Sequence, residues 1–220
     1  MKGGINKLVM QVSGIKIARE RCGLTILQLS KILKVDIYVI MSWENGAGNI
    51  PYNILLQLMS ILNTSSEMLL FGVDKKPLNI NTLKEHQKKF ILNFYDFIKE
   101  NPSLNNKHKA KKEMLFKDTK TITSVPQKIT YLRENILDIN QSQFGKIINV
   151  TRGSVSNWEA GISKPTLSHI SMICTICHIT TDYLLLDKHP LEISARNLTE
   201  DEYTILQCMI AFFIKKNSEE

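Results

Sequence analysis

The sequence offers little sulfur chemistry. Its four cysteines are Cys22, Cys174, Cys177 and Cys208, too few and too scattered for the disulfide framework of a small secreted domain. The one CxxC pair, in "CTICH" (174–178), has no second pair to complete a zinc site. It lies in the apolar run "LSHISMICTICHI", where a small thiol suits the core, and is read as packing. No apolar run approaches the roughly 20 residues that span a bilayer. The opening "MKGGINKLVMQVSG" lacks the apolar core and small-residue cleavage site of a secretory signal. These absences point to a cytoplasmic chain with reduced thiols. No nucleophile with its base, metal set or phosphate loop recurs at catalytic spacing, so neither enzyme activity nor a cofactor or metal is expected. Period-two alternation is also missing, which argues against strands.

What is present is an ordinary globular balance with a basic excess. Of 220 residues, 43% are hydrophobic and 22% charged, with net charge +7 and pI near 9.2. Such a balance makes an acidic partner plausible, nucleic acid first. The excess is concentrated: residues 74–126 hold twelve lysines against six acids, whereas residues 127–187 are neutral overall.

The most informative feature is an internal repeat. "LQLSKILKVDIYVIMSWENG" matches "SQFGKIINVTRGSVSNWEAG" when Trp43 is set on Trp158. Upstream, "IKIARERCGLT" meets "ITYLRENILDIN" with one extra residue in the second copy. Downstream, "PYNILLQLMSILNTSSEMLLFG" meets "PTLSHISMICTICHITTDYLLLD", one residue fewer preceding the proline. The chain reads as one unit of about 115 residues written twice.

Each copy reads as short helices. Pro126 suits a first helical turn, Asn140 and Thr151 suit N-caps, and Asn149 suits a left-handed turn between helices. Gly161 closes the third helix and Pro165 opens the fourth. Gly145, matched by Ser30, is small where two helices would cross. A longer amphipathic helix follows each copy. Thr82 to Glu85 and Thr199 to Glu202 both fit the capping box. Phe90, Phe94, Phe97 and Ile98, and likewise Leu206, Ile210, Phe213 and Ile214, fall at helical spacing. Each stripe packs on its own domain or forms a helix-pair interface, within one chain or between two. The expected organisation is an arm over 1–12, a first domain over 13–72, then a helix at about 82–100 and a basic linker within 73–126. A second domain over 127–187 and a C-terminal helix within 188–220 complete it.

These features resemble the lambda-repressor/Cro superfamily, also called the XRE family. The resemblance covers residues 13–72 and 127–187. It rests in the second copy on Leu132-Arg133-Glu134, Gln141, Gln143, Phe144-Gly145, Val150-Thr151-Arg152, Trp158-Glu159-Ala160-Gly161 and Pro165. It implies an all-α fold of two tandem five-helix DNA-binding domains, each followed by a longer amphipathic helix. It also implies a structural ion pair between Glu159 and Arg133, repeated by Glu44 and Arg19. Gln141 would bond phosphate, as the matching glutamine does in the family. His169 and His178, with no visible partner, read as structural, and Trp158 and Val155 as anchors.

A recognition helix in the major groove reads base edges with its first turn and exposed face. Arg can bond guanine and Asn adenine through two atoms each, for roughly 1–3 kcal/mol of discrimination. The DNA-facing set expected in the second copy is Gln141, Gln143, Thr151, Arg152, Gly153, Ser154, Ser156, Asn157 and Lys164. The first copy departs from it: Ile26 replaces the glutamine, Asp36 the neutral cap, and Ile37, Tyr38 and Ser42 stand for Arg152, Gly153 and Asn157. Its counterpart surface, facing DNA or protein, is Gln28, Lys34, Ile37, Tyr38, Met41, Ser42 and Asn45. The expected protein is therefore a transcriptional regulator, a repressor, binding double-stranded operator DNA as a homodimer without a membrane role. The alternative is a protein-interaction module whose first domain binds an antirepressor, antitoxin or polymerase subunit. Whether the two copies pair within one chain stays open.

Overall fold

The computed structural model describes residues 14–99, 122 and 124–219. The arm over 1–12 and most of the basic linker lie outside the described residues. The described chain is mostly helical and divides into two compact units, Met1–Lys76 and Pro77–Glu220.

The first unit holds α1 (Gly14–Arg21), α2 (Ile26–Leu33), α3 (Ile37–Glu44), α4 (Tyr52–Ile61) and α5 (Ser66–Phe71). Polar caps start three of them: Thr25 accepts from Gln28 N, Asp36 from Tyr38 N and Ser65 from Met68 N, satisfying donors that a helix start leaves open. Ile15, Leu29, Ile40, Trp43, Leu55, Leu58 and Met68 form the core. Burying a large aliphatic side chain contributes roughly 1.5–3 kcal/mol. Helix α1 lies so close to α5 that a Cβ on Gly14 would fall 1.7 Å from the Met68 carbonyl oxygen. The Ser30 hydroxyl donates to the Val35 carbonyl at 2.6 Å and fastens α2 to the turn before α3. Lys34 takes the left-handed conformation of that turn, with φ at 55°.

The second unit begins with β1 (Leu78–Asn79) and α6 (Glu85–Ile98). It continues through α7 (Val125–Tyr131), α8 (Gln141–Ile147), α9 (Arg152–Glu159), α10 (Leu167–Ile176), α11 (Thr181–Leu185), β2 (Glu192–Ile193) and α12 (Glu200–Ser218). Helix α7 runs on into a π-helical turn, Leu132–Ile136. Its closing bond runs five residues back, from Leu137 N to the Leu132 carbonyl at 2.9 Å. Strand β1 pairs antiparallel with β2, Leu78 opposite Ile193. Two residues are too short a strand to leave an alternating pattern, so the sequence reading missed this ladder.

Two helix starts also differ from the expectation. Helix α6 begins at Glu85 behind Lys84, whose N–H donates to Gln87 Oε1 at 2.9 Å; Thr82 is not its cap. Ile80 N donates to the Leu191 carbonyl and Leu83 N to the Ile80 carbonyl, and both side chains are buried, so Thr82 is held in a turn between them and the helix starts later. Helix α10 starts behind Thr166, which accepts from His169 N, rather than at Pro165.

Helices α6 and α12 run antiparallel. Gln87 and Asn217 exchange two amide hydrogen bonds of 2.9 Å, Phe90 meets Phe213 edge to face at 5.9 Å, and Lys99 bonds Glu202. Contrary to the expected stripe, Phe97 is 72% and Ile214 46% exposed, and Phe94 and Ile98 are half-buried. The face of α6 that is buried carries Ile91, Leu92 and Tyr95, packed in the second unit. There Tyr131 donates to Glu85 at 2.7 Å, and His178, stacked on Tyr95, bonds Asp96. A buried cation completes the core: Lys128 Nζ donates to the Tyr183 and Leu186 carbonyls, both at 2.6 Å, at the end of α11. Burial lowers its pKa to about 8, with Asp187 opposing the shift.

Candidate nucleic-acid interface

Helices α8 and α9 are set by the turn between them. Asn140 accepts from Gln143 N and caps α8; Thr151 accepts from Ser154 N and caps α9. Between them Asn149 adopts φ of 56°, which Asn tolerates better than most residues. A Cβ on Gly145 would sit 2.7 Å from the Val150 carbonyl oxygen, so the close approach of α8 to the turn requires the missing side chain. Val155 and Trp158 are buried and fix the rotation of α9. That rotation leaves Arg152, Gly153, Ser156 and Asn157 exposed. Ser154 is half-buried, its hydroxyl 2.9 Å from Thr151 Oγ1. Arg152 makes no ion pair among the described residues.

Behind this face lies a charged network. Arg133 Nε donates to Glu159 Oε1 at 2.6 Å and its second terminal nitrogen to Oε2 at 2.9 Å. The remaining terminal nitrogen donates to the Ile139 carbonyl at 3.0 Å. The Glu159 bond raises the guanidinium pKa above its ordinary value. Two-point pairing of a charged donor and acceptor is stronger than a neutral bond. Gln141 Nε2 donates to Glu159 Oε2 at 2.7 Å. A primary amide has two such hydrogens, so one is left for a second acceptor. Gln143 is exposed and its carbonyl oxygen accepts from Asn140 N at 2.9 Å. Lys164 is exposed in the loop after α9.

The first unit also holds an arginine–glutamate pair behind an exposed helix face. Arg19 pairs with Glu44 at 2.6 and 3.1 Å and donates to the Leu24 carbonyl at 2.7 Å. On α3, Tyr38 is 76% exposed, and Val39 and Met41 are exposed beside it. Ile37 is half-buried. The Ser42 hydroxyl donates to the Ala47 carbonyl at 2.5 Å. Gln28 accepts from Thr25 N at 2.8 Å within a capping box. Lys34 and Asn45 are exposed at the ends of α2 and α3.

Other residues depart from the sequence reading. His169 and His178 have partners: His169 Nδ1 lies 2.8 Å from Thr166 Oγ1 with its ring against Trp158, and His178 bonds Asp96. Cys174 and Cys177 are buried, and burial pushes the Cys177 thiol far above its ordinary pKa. Among the described residues no group of three or more His, Cys, Asp or Glu could hold a metal ion. No described helix is long and apolar enough to cross a membrane.

Residues 129–184 match the family model described as Helix-turn-helix, HTH_3. The matched segment runs from α7 to α11, and the match supports the XRE-type resemblance of this set of helices. It suggests a DNA-binding transcription regulator, a class that is typically non-enzymatic. The chain matches no curated protein and no solved structure.

Proposed function

We propose that the chain is a sequence-specific DNA-binding regulator that reads the major groove chiefly through α9. The observation that carries this is the exposed, polar first turn and outer face of α9, Arg152, Gly153, Ser156 and Asn157, on a helix locked by Val155 and Trp158. Arg152 and Asn157 supply base-edge chemistry, while Gln141 and Lys164 supply backbone contacts that set register. Thr151, Ser154 and Gln143 hold the helix ends that present them. The unit acts by occupying operator DNA as a homodimer and represses transcription there.

We read the two sets of helices as copies of one module. Supporting this are the paired networks Arg19–Glu44 and Arg133–Glu159, the capping boxes of Gln28 and Gln143, and the left-handed turns at Lys34 and Asn149. The first copy has a second reading, as a protein-binding surface. Exposed Tyr38, Val39 and Met41 favour it, as does the Ser42 hydroxyl engaged with the Ala47 carbonyl rather than turned to a base.

Selection of binding sites from random duplexes, followed by mobility shifts, tests both readings. Arg152→Ala with Asn157→Ala abolishes sequence preference, and Tyr38→Ala with Ser42→Ala leaves it intact. The reverse result overturns the assignment.

A further inference from the structure

We propose that α12 pairs antiparallel with α12 of a second copy of this chain, across a two-fold axis between Cys208 and Met209. One side of α12 is already committed. Leu206 and Ile210 are buried, and Glu202, Phe213 and Asn217 meet Lys99, Phe90 and Gln87 of α6. A second stripe lies about 100° around the helix. It contains Ile205, Cys208, Met209 and Phe212, of which Ile205 is 46% and Phe212 63% exposed. Steps of three, one and three residues keep these side chains on one face. With Phe90, half-exposed at 50%, and Phe213, three of them line an open apolar groove of about 410 Å³. A contiguous apolar surface of this kind marks an association site.

The charges on α12 select the occupant. Glu200, Asp201 and Glu202 fill its first turn, and Lys215 and Lys216 its last. The helix dipole accounts for the sign at each end. It does not account for an apolar stripe centred midway between them. A reversed copy sets Ile205 against Phe212 and Cys208 against Met209, and brings Asp201 to Lys216 at both ends. A parallel copy would set acid on acid and lysine on lysine. The match to itself in reverse is that of an isologous contact, in which the same patch serves both subunits. An acidic first turn disfavours DNA or an anionic membrane as the occupant.

This inference supplies the surface for the homodimer proposed above. No α9 residue belongs to the stripe, so its failure leaves groove reading by α9 untouched, and the converse also holds.

Sedimentation equilibrium of the full chain tests it. The chain is a dimer at micromolar concentration, and Phe212→Glu or Ile205→Glu makes it monomeric with an unchanged circular dichroism spectrum. Asp201→Lys or Lys216→Asp alone weakens the dimer several-fold, and the two together in one chain restore it. In a Cys22→Ser background, a short bismaleimide joins the exposed Cys208 of one copy to Cys208 of the other. A monomeric wild type, or a dimer that survives both glutamate variants, overturns the surface. A double charge exchange without recovery overturns the antiparallel register. Loss of DNA readout in Arg152→Ala with the dimer intact separates the two proposals.

Discussion

His178 Nε2 lies 2.6 Å from Asp96 Oδ1, although 82 residues separate them in the chain. The ring also stacks on Tyr95 with centroids 4.1 Å apart. The contact fastens α6 to the end of α10, so a helix encoded ahead of α7–α11 becomes part of their core. Removing one partner of a part-buried bond costs roughly 1–3 kcal/mol. Asp96→Ala and His178→Ala are each expected to destabilise the second unit by that order. Hydrogen exchange should show α6 opening first, and the double variant should lose less than the sum of the two.

Lys128 makes the stability of the second unit depend on pH. Its folded pKa of about 8 lies below the ordinary 10.5, so between those values the unfolded chain binds more protons. Stability therefore rises with pH through that window, as the cost of burying the ammonium is relieved. Below about pH 8 both states hold the proton and the contribution is flat. Urea titrations at pH 7 to 10 should show the rise in the wild type. Lys128→Met should lose it, while starting less stable because the Tyr183 and Leu186 carbonyls lose their donor.

Two backbone positions in the first unit should respond in opposite directions. Gly14→Ala places a Cβ against the Met68 carbonyl and should cost at least about 1–3 kcal/mol as α1 is pushed from α5. Lys34→Asn relieves a left-handed residue and should gain about 0.5–1 kcal/mol. Thermal melts of the full chain, with exchange protection resolved by unit, would assign both effects.

On DNA, Gln141→Leu and Arg152→Ala should fail differently. Losing the glutamine should weaken selected and unselected duplexes alike, because backbone contacts carry no sequence information. Losing the arginine should cost roughly 1–3 kcal/mol on the selected site and relax preference at one base pair. Binding isotherms on matched and single-mismatch duplexes separate these outcomes.

Features encoded locally were legible in the sequence. The caps at Asn140, Thr151 and Thr199 and the turn at Asn149 are each set by a few adjacent residues. The stripe of Leu206, Ile210, Phe213 and Ile214 was legible only in part: Leu206 and Ile210 are buried, whereas Ile214 is exposed. What escaped depends on distant partners. His178 looked unpartnered because Asp96 is remote in sequence, and Thr82 looked like a cap because the pull of Leu191 on Ile80 leaves no local sign. Lys128 would pass for a surface cation, since backbone carbonyls, not acids, receive it. The π turn over Leu132–Ile136 escaped as well. A period of five hydrogen-bonded steps has no side-chain signature.

Because α6 lends Ile91, Leu92 and Tyr95 to the core shared with α7–α11, the family-matched stretch 129–184 holds only part of that core. Expressed from residue 122 onward, it would lack a wall of its interior and would be prone to aggregation. A coding sequence opened at Pro77 restores that wall. The core of the helix-turn-helix is thus closed by a segment that lies outside the stretch matching the family.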